Sequence, residues 1–177
     1  MTIGNSVTYI GRGAFYYCTS LTSVTIPNSV TNIEAQAFND CRSLTSVTIP
    51  DSVIRIGDSA FRNTPFYNDQ PDGLIIFGKV AYKMKGNCPA SVTIPSGIIS
   101  IGDWAFFDCN RLTSVTIPNS VTNIGGYAFS SCTNLISVTI PNSVTNIGFY
   151  AFWNSNKISE MSMLGFTCDT VKNNVLN

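Results

Sequence analysis

The sequence predicts a repeat solenoid, mainly β, coiling right-handed around a parallel sheet. Three observations predict it. Leu21–Ile33, LTSVTIPNSVTNI, returns letter for letter at Leu112–Ile124, with near-copies at Leu44–Ile56 and Leu135–Ile147. Ile10, Ile33 and Ile56, then Ile101, Ile124 and Ile147, fall 23 residues apart on either side of one 45-residue gap. Charged residues make up only 11% of the 177, against ~25% in ordinary globular domains, and Ser, Thr and Asn replace them. A fixed period of this length marks one supersecondary unit stacked on itself.

Each element of the unit follows from its residues. In L-x-x-V-x-I, Val24 and Ile26 alternate with Ser23 and Thr25, the period-two signature of a strand. Parallel rungs are therefore expected at Ser23–Ile26, Ser46–Ile49, Val92–Ile94, Ser114–Ile117 and Ser137–Ile140. Pro27 lacks an N–H and ends the ladder, starting the turn Pro27-Asn28-Ser29. Val30 and Ile33 point inward across a second extended piece. Next comes glycine, at positions 11, 57, 102, 125 and 148 (Glu34 in one unit), for positive φ or close approach. The run A-F-x-x-C, as in Ala37–Cys41, is too short for a long helix and suits one helical or 3₁₀ turn. Stacking these units puts Phe15, Phe38, Phe61, Phe106, Phe129 and Phe152 in one interior column.

Read as L-x-x-V-x-I-P-x-S-V-x-x-I-G-x-x-A-F-x-x-C, the unit resembles the BspA-like class of leucine-rich repeats over nearly the whole chain. The resemblance implies a leucine-rich-repeat coil of surface-exposed or secreted proteins, linked to adhesion and to binding of host matrix or other surface proteins. It brings no residue-level ligand motif.

One solenoid domain is expected over residues 1–177, with a hairpin insertion at 64–90 and a degenerate unit at 155–177. Leu74–Phe77 and Val80–Met84 flank Gly78-Lys79 as the arms of a β-hairpin, one arm taking a rung. Asn68, Asp69 and Asp72 crowd one loop, which turn chemistry explains without calcium. The opening MTIGNSVTYIG matches the inside of a repeat and has no secretory leader, so a piece of a longer array is expected.

Chemistry is sparse. There is no histidine, which removes Ser-His and Cys-His nucleophiles and histidine metal sites. No phosphate-binding or dinucleotide fingerprint occurs. We therefore expect no enzyme, no catalytic residue, no metal and no cofactor. Net charge is zero, giving no field for nucleic acid, and no stretch approaches the ~20 apolar residues of a membrane span. Cys18, Cys41, Cys109 and Cys132 share one register and are expected to be buried and reduced, because stacked coils (~4.8 Å apart) are wider than disulfide geometry prefers. Cys88 and Cys168 fall outside that register.

The expected function is a protein-interaction or adhesion module. Its alternatives are a structural spacer in a longer surface protein, or ice or crystal binding through Ser/Thr ladders. Two sets of candidate contacts stand out. One is the hydroxyl face marked by Thr25, Thr48, Thr93, Thr116 and Thr139. The other is the insertion, where Tyr67 and Tyr82 accompany Lys79, Lys83 and Lys85, since loops on rigid scaffolds carry function.

Overall fold

The computed structural model describes residues 1–163. Cys168 and most of the expected degenerate unit lie outside the described residues. The chain divides into two compact units, Met1–Pro71 with Ile76–Val80, and Asp72–Ile75 with Ala81 onward. Both are mainly-β solenoid coils carrying two parallel sheets.

In the first unit, β2 (Ser23–Thr25) pairs in parallel with β4 (Ser46–Thr48), Val24 opposite Val47. A second sheet runs β1 (Tyr9–Ile10), β3 (Asn32–Ile33), β5 (Arg55–Ile56), with Ile10, Ile33 and Ile56 in register. The turn between the sheets is closed by Val30 N donating to Pro27 O at 3.0 Å. Its serine has a separate task. Ser29 Oγ donates to the Val7 carbonyl and Ser52 Oγ to the Val30 carbonyl, at 2.7 and 2.8 Å, tying each coil to the one before.

The glycine after the second strand is needed for close approach, not for positive φ. A Cβ on Gly57 would stand 2.5 Å from Ala35 N, and one on Gly125 2.6 Å from Asp103 N. Positive φ occurs instead on either side of A-F. Gln36 and Asp40, Ser59 and Asn63, Trp104 and Asp108, Tyr127 and Ser131, and Tyr150 and Asn154 are all left-handed. This corrects the expected helical or 3₁₀ turn: the stretch is a run of β-turns bracketed by two left-handed residues, and it turns the chain in four residues without a helix.

Phenylalanine fills the inside. In the first unit Phe15, Phe38 and Phe61 stack with centroids 5.0 and 5.4 Å apart and planes within 8°. In the second, Phe106, Phe129 and Phe152 stack at 5.0 and 5.2 Å. Offset stacking adds roughly 0.5–1.5 kcal/mol per pair beyond the area buried.

At the insertion the first unit ends on aromatic rings. Helix α1 (Pro65–Asn68) is capped by Thr64, whose Oγ1 accepts from Tyr67 N at 3.2 Å. Phe66 and the Phe77 ring of β6 (Gly73–Phe77) stack at 4.9 Å, and both meet Phe61 edge-on. Gly78 turns the hairpin at φ 55°, where a Cβ would meet Pro50 O at 2.9 Å.

In the second unit, β7 (Val80–Lys85) supplies the expected rung. Gly102 N donates to Ala81 O at 2.9 Å, and Met84 N donates to Ala105 O at 2.7 Å, the bond that Phe106 and Phe129 make one coil later. Met84 thus stands at the backbone position of a column phenylalanine and packs on the core. Strands β8 (Ser91–Thr93), β10 (Ser114–Thr116), β12 (Ser137–Ile140) and β14 (Glu160–Met163) form one parallel sheet. The other holds β9 (Ser100–Ile101), β11 (Asn123–Ile124) and β13 (Asn146–Ile147) in parallel, with Ile101, Ile124 and Ile147 in register.

The cysteines depart from expectation in one pair and in the half-burial of Cys18. Cys88 and Cys109 form a disulfide with Cα atoms 5.4 Å apart. Cys88 was expected outside the register and Cys109 reduced. The rung taken by β7 brings Cys88 round to the place below Cys109. Cys18, Cys41 and Cys132 are free; Cys41 and Cys132 are buried and Cys18 half-buried. The thiols are more than small apolar fillers. Cys41 donates to the Phe15 carbonyl at 3.0 Å and Cys132 to the Phe106 carbonyl at 3.1 Å, and Ser155 Oγ does the same to Phe129 at 2.7 Å. A donor of either kind serves the position.

Candidate functional site

The hydroxyl ladders exist. Thr25 and Thr48 face solvent side by side in the first unit, and Thr93, Thr116 and Thr139 do so in the second. They offer small polar groups and no large anchor, and interfaces draw most of their energy from aromatic and arginine anchors.

The insertion offers less than its sequence promises. Tyr82 is only 2% exposed, so its ring is not available as a contact. Tyr67 is half-buried, and burial pushes its phenol above the ordinary range. Phe66 and Phe77 are spent on the end of the phenylalanine column. Lys79 in the first unit, and Lys83 and Lys85 in the second, are all half-buried.

The clustered rings lie elsewhere, on the left-handed turns of the second unit. Trp104, Tyr127 and Tyr150 occupy one register position on successive coils, with φ between 54° and 59°. Trp104 and Tyr127 stack at 4.2 Å, and Tyr127 meets Tyr150 at 5.3 Å. Phe107 meets Trp104 edge-on at 4.7 Å, and Phe149 meets Tyr127 edge-on at 5.6 Å. Phe149 is 69% exposed, with Phe107, Trp153 and Tyr150 at 44%, 45% and 37%. Both tryptophans of the chain, Trp104 and Trp153, belong to this corner.

The backbone that holds these rings is no mark of function in itself. Gln36 and Ser59 adopt the same φ in the first unit. The aromatic side chains are the distinguishing feature. Aligning the unit on its shared letters hides them, because they fall at its variable positions. The legible signal was the run Trp, Tyr, Tyr at one variable position of three successive coils.

Gly126, beside Tyr127, donates its N–H to Asp103 Oδ1 at 2.8 Å. A Cβ there would lie 3.4 Å from the Phe149 carbonyl oxygen and 3.8 Å from its ring, ordinary contact distances, so Phe149 packs over Gly126. The corner therefore combines exposed rings with two carboxylates, Asp103 and Asp108, on one coil. Among the described residues no three His, Cys, Asp or Glu side chains converge as metal ligands, and no helix is long and apolar enough to cross a membrane. A shallow open cleft in the first unit is lined by Asp40, Arg42, Asn63, Pro65 and Asn68, without an aromatic ring.

A family model described as the BspA type leucine rich repeat region matches in six copies, over residues 1–70 and 75–177. No protein of curated function matches the chain. Among solved structures, the leucine rich repeat protein of T. pallidum is 29% identical, covering 88% of this chain and 63% of its own, with a TM-score of 0.42. One from Eubacterium ventriosum is 21% identical, covering 91% and 59%, with a TM-score of 0.50. A leucine rich cell surface protein from Faecalibacterium prausnitzii is 28% identical, covering 85% and 44%, with a TM-score of 0.32. The chain spans less than two thirds of each of these proteins.

Proposed function

Because the chain belongs to the BspA-type leucine-rich repeat family, we propose that it is a non-enzymatic protein-interaction module, working in adhesion at a cell surface or in a secreted protein. The surface setting is what the family resemblance implies. The observation that carries the interaction reading is the aromatic corner of the second unit. Six large rings sit on one edge of a repeat whose outward sheet face is mostly Ser and Thr. Rigid aromatic groups bury much area with little loss of side-chain freedom, which is why they dominate binding hot spots. A contiguous exposed apolar patch on a soluble fold marks an interaction site.

The test is surface plasmon resonance of the whole chain against purified matrix glycoproteins and bacterial surface proteins. It is repeated with Phe107→Ser and Phe149→Gly combined, which copy Ser130 and Gly126 at the same register. Binding by the parent chain that falls at least about tenfold in the variant supports the reading. Equal binding by both would move the contact to the threonine face or the insertion.

A further inference from the structure

Two exposed rings of the second unit stand in step, two coils apart. Phe107 and Trp153 hold the same register position, with Ser130 between them on the middle coil. Asp108 N donates to Ser130 O at 3.0 Å and Ser131 N to Trp153 O at 2.7 Å, so backbone bonds fix the three turns against one another. Ser130 is fully buried and adds no surface of its own. With ~4.8 Å per coil, the two rings recur at ~9.6 Å along the stack. The first unit has no such pair: its equivalent residues are Tyr16, Asn39 and Arg62.

Beside the rings, each of the three turns carries an asparagine. Asn110 Nδ2 donates to Asp108 Oδ1 at 2.7 Å, Asn134 Nδ2 to the Asn110 carbonyl at 2.6 Å, and Asn156 Nδ2 to Asn154 Oδ1 at 3.2 Å. A side-chain amide has two N–H groups, so each keeps one donor beyond the bond that orients it. Charge is scarce: from Gly102 to Phe152 the chain carries only Asp103, Asp108 and Arg111. Rings at a fixed interval beside neutral donors suit an uncharged ligand that offers apolar groups at the same interval and carbonyl acceptors between them.

We propose that Phe107 and Trp153 bind a proline-rich segment of a protein partner, held as a polyproline II helix, through its residues i and i+3. The proposal rests on the interaction reading above and adds the chemistry of the partner. A polyproline II helix has three residues per turn at ~3.1 Å each, so one face returns every ~9.3 Å, close to the ring interval. An extended strand returns a face every ~6.6 Å and misses the second ring. An α-helix keeps its carbonyls in its own hydrogen bonds. Polyproline II has no internal hydrogen bonds, so its carbonyls are open to the asparagine amides and to the indole N–H of Trp153. Proline has no N–H and asks no acceptor of the corner. The segment is stiff before it binds, which limits the entropy lost on docking.

Both tryptophans lie in the corner, so intrinsic fluorescence of the whole chain reads it without a label. The probe is nonaproline, compared with the flexible peptide (Gly-Gln)4-Gly and with cellohexaose. Support is a saturable change with nonaproline, at least about tenfold tighter than with the flexible peptide. Phe107→Ser should weaken it at least about tenfold, a size ordinary for hot-spot truncation. Adding Ser130→Phe to Phe107→Ser restores a ring one coil nearer and halves the interval, and should bind no better than Phe107→Ser alone. Circular dichroism checks that each variant folds; Phe107→Ser, which copies the residue of the next coil, decides the matter if the double variant does not. The proposal is overturned by no saturable change, by equal affinity for the flexible peptide, by unchanged affinity in Phe107→Ser, or by full affinity in a folded double variant. Saturation with cellohexaose in place of nonaproline would assign the corner to a glycan, and a change on dilution alone would assign it to a second copy; either overturns the proposal. If protein partners bind the corner in the resonance assay while nonaproline does not, the interaction reading stands and this proposal falls.

Discussion

Gln36 and Ser59 in the first unit, and Trp104, Tyr127 and Tyr150 in the second, hold the same left-handed backbone at the same corner of the coil. Beside them stand Asn39 and Arg62 in one unit and Phe107, Ser130 and Trp153 in the other. Exposed rings in the first unit are confined to its first coil, at Tyr9, Tyr16 and Tyr17. Inside, the two units are alike: stacked phenylalanines, inward Val and Ile, and a buried donor to the phenylalanine carbonyl. The difference teaches that coil geometry is dictated from within, while the outer turn is left open for function. Left-handed φ costs an L-residue roughly 1–2 kcal/mol, and both units carry that cost for the fold.

The largest expected effect tests the likeness. Phe38→Ala and Phe129→Ala each remove the middle ring of a three-ring stack. Each should lower stability by about 3–5 kcal/mol through lost transfer energy and the cavity left behind. Thr116→Ala, on the exposed face, should stay within about 0.5 kcal/mol. Urea unfolding followed by circular dichroism checks all three. A cost for Thr116→Ala above that for Phe129→Ala would reverse inside and outside.

The next effect separates the units. The Cys88–Cys109 bridge has a sequence separation of 21, for which loop closure gives about 3 kcal/mol. Calorimetry with and without reductant should show the second unit losing about this much. Native hydrogen exchange should leave the first unit, which has no bridge among its described residues, unchanged. Equal loosening of both would refute a division into separately stabilised units.

Opposite signs should follow at the left-handed corner. Gln36→Gly relieves a strained backbone at the loss of one polar side chain, and should stabilise by about 1 kcal/mol or less. Tyr127→Gly gains the same relief but loses ring contacts to Trp104, Phe149 and Tyr150. Such pairs are worth roughly 0.5–1.5 kcal/mol each, so a net loss of about 1–2 kcal/mol is expected. Matching signs would show that the aromatic ladder is not a packed unit.

The smallest effect concerns the thiols. Burial pushes Cys132 up to about 12 and raises Cys41 as well. A folded thiol held protonated binds a proton that the unfolded chain releases above its ordinary value of 9.0. Its contribution to stability is therefore complete below about pH 9 and is lost as pH rises toward about 12. At pH 9, iodoacetamide should label the half-buried Cys18 of the first unit well before Cys132 of the second, as read by peptide mass spectrometry. Faster labelling of Cys132 would contradict its burial.

The sequence was legible wherever the period speaks. Strands at Ser23, Ser46, Ser114 and Ser137, the phenylalanine stack and the outward threonines all follow from placing chemical equals one above another. The hairpin was legible from Gly78-Lys79, and its second arm does take a rung. The bridge was not, because Cys88 precedes Cys109 by 21 residues and breaks the 23-residue spacing. The burial of Tyr82 was illegible for a related reason: an insertion breaks the period, and only the rung taken by β7 covers its ring. The serine of the turn and the thiols of the core gained their partners only when the neighbouring coil was in place.

By itself, then, the sequence determined the coil, its parallel pairing and the residues that face inward. In a solenoid each unit meets only its neighbours, so a repeated pattern is enough to define a repeated structure. Tertiary structure decided what happens at the variable positions. Whether Trp104, Tyr127 and Phe149 are separate rings or one surface depends on how far apart stacking sets them and which way a left-handed turn aims them. Those distances arise between coils, and no single stretch of the chain records them.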